Sequence, residues 1–362
     1  MKNKKLTLIV VVLWAILTLL LWFGPRKASS DAERRPLAQA PEITADSLLN
    51  GKFMSAFEDF TLDQFPFRDR FRSLKSLFHQ YVLGQSDNNG IYLSDGYAAK
   101  MEYPLNMVSI NHAISRFTYL YETYLTDSEV FMAIVPDKGY YLAEESGHLS
   151  LDYDGLFAAF RENLPFATQI GLTDSLSLSD YYRTDTHWKQ ENLLPAAGKI
   201  AEMLGISAPQ AEDFSAVTLA RPFYGVYYGQ AALPMEPDPL IYLESETLKN
   251  CRVFDHETQK TTGVYDLSKE TGKDPYDIFL SGAKPLLTIE NPAAREEKEL
   301  IVFRDSFGSS LIPLLVHGYS TVTVVDIRYV NIDLLPRFID FHGQDVLLLY
   351  STLVLNSSDT IR

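Results

Sequence analysis

LIVFRDSFGSSLIPLLVHGYSTVTVVDIRYVNIDLLPRFIDFHGQDVLLLY, residues 300–350, is the stretch that decides the fold class. Leu300-Ile301-Val302-Phe303 reads as a strand, Gly308 to His317 as a helix, and Thr321 to Asp326 as a second strand. Asn331 to Phe338 reads as a second helix and Val346 to Tyr350 as a third strand. This βαβαβ order belongs to a doubly wound α/β domain, a parallel sheet flanked by helices. Ligands of such sheets bind beyond the carboxyl ends of the strands, which places Arg304, Asp305, Ser306, Asp326 and Arg328 on the functional edge.

Working upstream, the wholly apolar Val130 to Val135 fits a strand buried on both faces, preceded by a helix over 110–124. Helices are also expected at 155–164 and at 188–204, the latter closed by Gly205. Residues 206–296 break into aromatic, Gly-rich and Pro-rich pieces that read as an insertion of short strands. Gly90 to Tyr97 reads as a hairpin turning at Ser94-Asp95-Gly96. Two helices over 47–83 flank a bend at Phe65-Pro66-Phe67-Arg68-Asp69, and their aromatics fit core packing better than a ligand box. Residues 28–45 are small, polar and Pro-punctuated, a flexible linker to one domain over 46–362.

Residues 1–27 carry an apolar run from Leu6 to Gly24, which at ~1.5 Å per residue covers roughly one hydrocarbon core. It is too long for a typical signal-peptide core and no Ala-x-Ala site follows, so an uncleaved single-pass anchor is expected. Lys2, Lys4 and Lys5 favour an inside N-terminus, which leaves the bulk of the chain outside the cytoplasm. The whole chain of 362 residues has a net charge of −15, and removing the five basic and no acidic groups of residues 1–27 takes this to about −20. Such a surface repels nucleic-acid phosphates. The single cysteine, Cys251, excludes an internal disulfide and a Cys-based zinc cluster. With no Walker loop and no Gly-x-Gly-x-x-Gly, no nucleotide cofactor is expected.

Two places carry chemistry. Ser306 lies where a strand hands over to a helix, a position for a nucleophile near backbone N–H groups and equally for a helix-capping serine. Tyr182-Arg183-Thr184-Asp185-Thr186-His187-Trp188 sets a carboxylate and an imidazole two residues apart, the pair a serine needs for a base and for a group that orients it. A metal role for Asp185 and His187 lacks partners, because the other six histidines form no ligand-spaced pair.

Asp185-Thr186-His187-Trp188 followed by Arg304-Asp305-Ser306-Phe307 resembles the SGNH-like domain of the alginate O-acetyltransferase (AlgJ/AlgX) group and the related DHHW proteins. The Asp/His block precedes the Ser block, the reverse of ordinary SGNH hydrolases and thus a circularly permuted motif order. Phe65-Pro66-Phe67-Arg68-Asp69, Phe223 to Tyr228, Tyr276 to Gly282 and the run from Asp305 to Tyr329 are similar to further family blocks, so the likeness covers about residues 50–356. Thr186 stands where DHHW proteins usually have His, Gly282-Ala283 where the family tends to have Gly-Asn, and Arg304 where it has Gly. The Arg304 side chain is expected to leave the edge, and the partner in the oxyanion hole stays open.

The resemblance implies a serine O-acyltransferase in a bacterial cell membrane, with an extracytoplasmic domain that moves acetyl groups onto hydroxyls of an exported or cell-surface polysaccharide. Ser306 would be nucleophile, His187 base and Asp185 its orienting carboxylate, with Asp305 structural beside the serine and Tyr224, Arg328 and Tyr329 candidates for substrate contact. A multi-pass membrane acyltransferase would supply the acetyl group, with no cofactor and no metal. A carbohydrate esterase with the same triad, and a non-catalytic glycan-binding or assembly factor, are the alternative readings.

Overall fold

Apolar runs without polar alternation are stable only where both faces of a strand are covered, and three of them, ending at Val135, Arg304 and Ser351, form the middle of the structure. The computed structural model describes residues 2–362, with side chains from Lys4 onward, so the Lys2 side chain counted above lies outside the described part. It comprises two compact units: the chain up to Asn89 with Val226–Met235, and Gly90–Gly225 with Glu236–Arg362.

In the first unit, helix α1 (Lys2–Phe23) contains one segment, Lys4–Phe23, long and apolar enough to cross a membrane. Helices α2 (Lys52–Asp63) and α3 (Arg68–Leu77) follow, and a π-type turn, Phe78–Val82, extends α3. The bend between them sits at Phe65-Pro66-Phe67 as expected, with Phe67 in the left-handed region at φ 57°. Residues 28–45, read as a linker, carry local structure: Ser29–Ser30 pairs with Arg35–Pro36, and the Arg35 guanidinium donates to Asp63 at 2.6 and 2.8 Å. Burial alone would raise the Glu33 carboxyl, but Arg68, Arg72 and Arg35 around it turn the shift downward.

The second unit holds an eight-stranded sheet. Its strands in chain order are β1 (Val130–Val135), β2 (Ala167–Ile170), β3 (Arg252–Asp255), β4 (Lys260–Thr262), β5 (Leu286–Glu290), β6 (Glu299–Arg304), β7 (Thr321–Val325) and β8 (Asp345–Ser351). Across the sheet they lie β4-β3-β5-β7-β6-β8-β1-β2. The pairs from β7 to β2 are parallel, and β5, β3 and β4 extend one edge antiparallel. The expected α/β sheet is therefore present, and part of the 206–296 region belongs to it rather than forming a separate insertion. The remainder includes an antiparallel pair, Ser215–Thr218 with Ile241–Glu244.

Alternate residues of the central strands feed two cores. Ala133, Val302, Leu347 and Leu349 pack with helix α6 (Leu194–Met203) and the turns after Ser306, whereas Met132, Ile301, Phe303 and Leu348 pack with α4 (Met107–Leu120) and α5 (Tyr153–Asn163). The helix expected from Trp188 starts only at Leu194, because residues 182–189 close a loop with Tyr181 bridged to Trp188. Prolines also shorten two expected helices. Gly308–Leu311 passes into 3-10 turns around Pro313, and Ile332–Arg337 is a 3-10 segment containing Pro336, since each proline removes a backbone donor.

Candidate active site

Strand β6 has β7 on one side and β8 on the other, so the sheet's topology switches at its carboxyl end, the place where open α/β sheets bind ligands. The chain leaves β6 through Asp305-Ser306-Phe307. The buried Asp305 carboxylate accepts from the Phe307 N–H at 3.0 Å on one oxygen, and from the Ser351 N–H at 2.7 Å and hydroxyl at 2.6 Å on the other. One side chain thus ties the serine turn to the end of β8. Ser306 N–H makes no hydrogen bond among the described residues.

The loop before α6 delivers the imidazole. Tyr182 N–H donates to His187 O at 3.1 Å and Lys189 N–H to Asp180 O at 2.7 Å, closing the loop at its base. Buried Asp238 accepts from the N–H groups of Arg183 (3.0 Å) and Thr184 (2.9 Å) and from the Thr184 hydroxyl (2.7 Å). The fully buried Lys138 ammonium reaches the carbonyls of Tyr182 (2.9 Å), Arg183 (3.4 Å) and Ala98. Burial pulls the Lys138 pKa down to about 7 against the attraction of Asp185, Asp238 and Asp137. Gly225 is a true close-approach glycine: a Cβ there would overlap the backbone and Cβ of Asp185.

Within this frame Asp185 Oδ1 accepts from His187 N–H at 3.1 Å and lies 2.6 Å from His187 Nδ1. The carboxylate assigns the ring proton to Nδ1 and leaves Nε2, 2.8 Å from Ser306 Oγ, as an acceptor. Asp185 has no solvent exposure and His187 is 6% exposed. The His187 ring stacks on Tyr276 with centroids 3.9 Å apart and planes within 6°, and Phe307 tilts against it at 5.0 Å. Ser310 fixes this wall, since its hydroxyl lies 2.8 Å from Tyr276 Oη and accepts from Trp188 Nε1 at 2.9 Å. Burial pushes the Tyr276 phenol well up, keeping it neutral. Chemically, a hydroxyl, an imidazole acceptor and a carboxylate stand in the series that general-base activation of a serine requires.

Sequence reading placed Ser306, His187, Asp185 and Asp305, and the structure brings all four together. It overlooked Asp238, Lys138, Gly225, Ser310 and Ser351, and gave no role to Tyr276. Only the aromatic-glycine run around Gly225 and the block around Tyr276 carried a signal. Arg304 does not leave the edge as expected: it is fully buried, donating to Gly282 O at 3.1 Å and Asp305 O at 3.3 Å. Burial pulls its pKa down against the attraction of nearby Asp326. Gly282 lies at the end of a left-handed run, with φ of 51°, 58° and 82° at Leu280, Ser281 and Gly282. Arg328 forms a two-pronged pair with Asp326 at 2.9 and 2.7 Å and lies over the Tyr329 ring at 5.4 Å. Tyr329 and Tyr224 are exposed.

Residues 176–325 match the family model described as DHHW protein, a region that contains Asp185, His187 and Ser306. No curated protein matches the chain by sequence. Among solved structures, a DHHW family protein from Eubacterium siraeum aligns at a TM-score of 0.62 and 20% identity, over 76% of this chain and 95% of that one. Bacillus cereus PatB1 aligns at 0.60 and 18%, over 75% and 98%. PatB1 with a sulfonyl adduct aligns at 0.58 and 18%, over 73% and 95%. At these identities the likeness is one of fold. The resemblance to the DHHW proteins is thereby borne out: residues 176–325 match that family's model, and the chain shares its fold with the Eubacterium siraeum DHHW protein.

Proposed function

We propose that the chain is a membrane-anchored, extracytoplasmic O-acetyltransferase that works through an acetyl-serine. The observation that carries this reading is His187, bonded at once to Asp185 at 2.6 Å and to Ser306 at 2.8 Å. Ser306 Oγ attacks the acetyl carbonyl while His187 Nε2 takes its proton; the carbonyl re-forms as the donor's oxygen leaves with that proton, giving the Ser306 ester. An acceptor hydroxyl then attacks the ester, His187 takes the new proton, and collapse returns Ser306 Oγ, which recovers the proton from His187. Asp185 stabilises the imidazolium in both halves, and the unengaged Ser306 N–H is a donor for each oxyanion.

The acceptor is a polysaccharide hydroxyl, and the chain's charge of −15 favours a neutral or basic glycan over a polyanion. The apolar helix α1 supports attachment with the N-terminus inside, and a multi-pass membrane acyltransferase supplies the acetyl group. The test is acetyl-ester turnover by the detergent-purified full chain with and without a neutral glycan, beside Ser306→Ala and His187→Ala. Turnover is expected to fall about 10³-fold or more in both variants, with circular dichroism unchanged. A sulfonyl fluoride should add mass to the Ser306 peptide of the parent protein alone. Acetylated glycan identifies the transferase, free acetate alone an esterase, and equal rates in all three proteins overturn the serine mechanism.

A further inference from the structure

Helix α3, its cap residue Phe67 and its π-type extension carry an exposed apolar stripe, touched within the unit by Phe65 edge-on to the Phe71 ring at 5.4 Å. Phe67, Phe71, Leu74, Phe78 and Tyr81 recur at alternating steps of four and three residues, and they are 46–73% exposed. That spacing puts them on one face of a helix. The opposite face is packed within the same unit: Arg72 donates to Gly229 O at 2.9 Å, and buried Ser76 accepts from Asn88 Nδ2 at 2.7 Å. The stripe is therefore oriented, not merely exposed.

We infer that this stripe docks on an anionic lipid surface, on the side of the bilayer where α1 ends. Three observations select lipid as the occupant. First, the helix preceding the stripe is joined to the membrane helix: Trp22 of α1 meets the Phe57 ring at 6.0 Å, Arg26 lies over Phe60 at 5.0 Å, and Lys27 exchanges hydrogen bonds of 3.0 and 2.9 Å with Gln64. Helix α2 is thus seated at the end of α1, and four residues separate its last residue from the first of α3. Second, α3 carries Arg70 and Lys75 against the single acid Asp69, while its Arg68 and Arg72 pair with Glu33, in a chain whose net charge is −15. Third, helical geometry sets Arg70 and Lys75 on the two margins of the stripe, where long cationic side chains extend to phosphates while aromatics enter the acyl boundary. Arg70 already lies against the Phe67 ring at 6.0 Å. Aromatic residues with flanking cations are the composition of helices that lie in a membrane interface.

The inference rests on reading α1 as a membrane span, and the test separates the two. The full chain with Cys251→Ser, so that each introduced thiol is alone, is reconstituted into vesicles of phosphatidylcholine with or without phosphatidylglycerol. Nitroxides at Phe71→Cys and Leu74→Cys are compared with Leu13→Cys in α1 and Glu296→Cys on the catalytic unit, through oxygen and nickel-chelate accessibility. With the anionic lipid, nickel access at Phe71 and Leu74 should fall about threefold or more below that at Glu296, with oxygen access raised. Nickel access equal to that at Glu296, in protein that carbonate leaves in the vesicles, overturns the docking alone. Loss of access to both relaxants marks a protein cover and overturns lipid as the occupant. Equal depth in both lipid mixtures overturns the anionic character of the surface. Release of the whole protein by carbonate overturns the span, and the docking with it.

Discussion

Asp305 illustrates how one buried carboxylate positions its neighbour Ser306 through backbone contacts on either side. It accepts three hydrogen bonds, from Phe307 N–H and from the N–H and hydroxyl of Ser351. Asn in its place would turn an NH2 toward at least one of these donors. Asp305→Asn is therefore expected to lose about 2–4 kcal/mol in urea denaturation, and to slow ester turnover through the displaced Ser306. Gly225 acts by what it lacks. Gly225→Ala forces a methyl into the Asp185 backbone, which cannot move aside, so turnover and thermal midpoint should fall together while the exposed change Tyr329→Ala leaves the midpoint within about 2 °C.

At the scale of elements, the loop from Tyr182 to Trp188 is held from outside itself, by Asp238, Lys138 and Gly225. Asp238→Ala removes three of its ties and should lower turnover about 10- to 100-fold with the sheet intact by circular dichroism, because the imidazole then samples positions out of line with Ser306. The turn that follows holds Glu191, whose pKa burial raises to about 7 from 4.5. A carboxyl that holds its proton more tightly folded than unfolded costs stability as pH rises from 4.5 to about 7. Glu191→Gln should accordingly stabilise the protein by about 1–3 kcal/mol at pH 8 and change it little at pH 4.5, read by urea titration at each pH. Opposite pH dependence would show that Glu191 is ionised and paired. The short 3-10 segments around Pro313 and Pro336 escaped sequence reading because periodicity reports which face is apolar, not whether every backbone donor is present.

The whole molecule pairs an apolar, locally basic entrance with a strongly acidic remainder. Residues 1–27 carry only positive charge, and the rest has a net of about −20. On this division the full chain should stay with membranes through alkaline carbonate, whereas deletion of residues 2–23 should release it as an export-incompetent form. Protease added outside intact cells should reach the portion beyond residue 27 but leave the amino terminus protected. Full digestion of an amino-terminal tag from outside would reverse the assigned orientation.

Local pattern was enough for the three strands of residues 300–350, the buried strand at Val130–Val135, the Pro66 bend and the pairing of Asp185 with His187, because each is written in side-chain periodicity or in residues two positions apart. Tertiary structure alone decided that β3, β4 and β5 join the sheet antiparallel, since strand partners depend on long-range register that short irregular runs do not encode. It also brought His187 within 2.8 Å of Ser306 across 119 residues of chain, set Tyr276 flat against the imidazole, and turned Arg304 inward to the Gly282 carbonyl. A contact between distant residues has no local signature. Its energy comes from the packed interior that excludes water around it, and that interior exists only once the chain has folded.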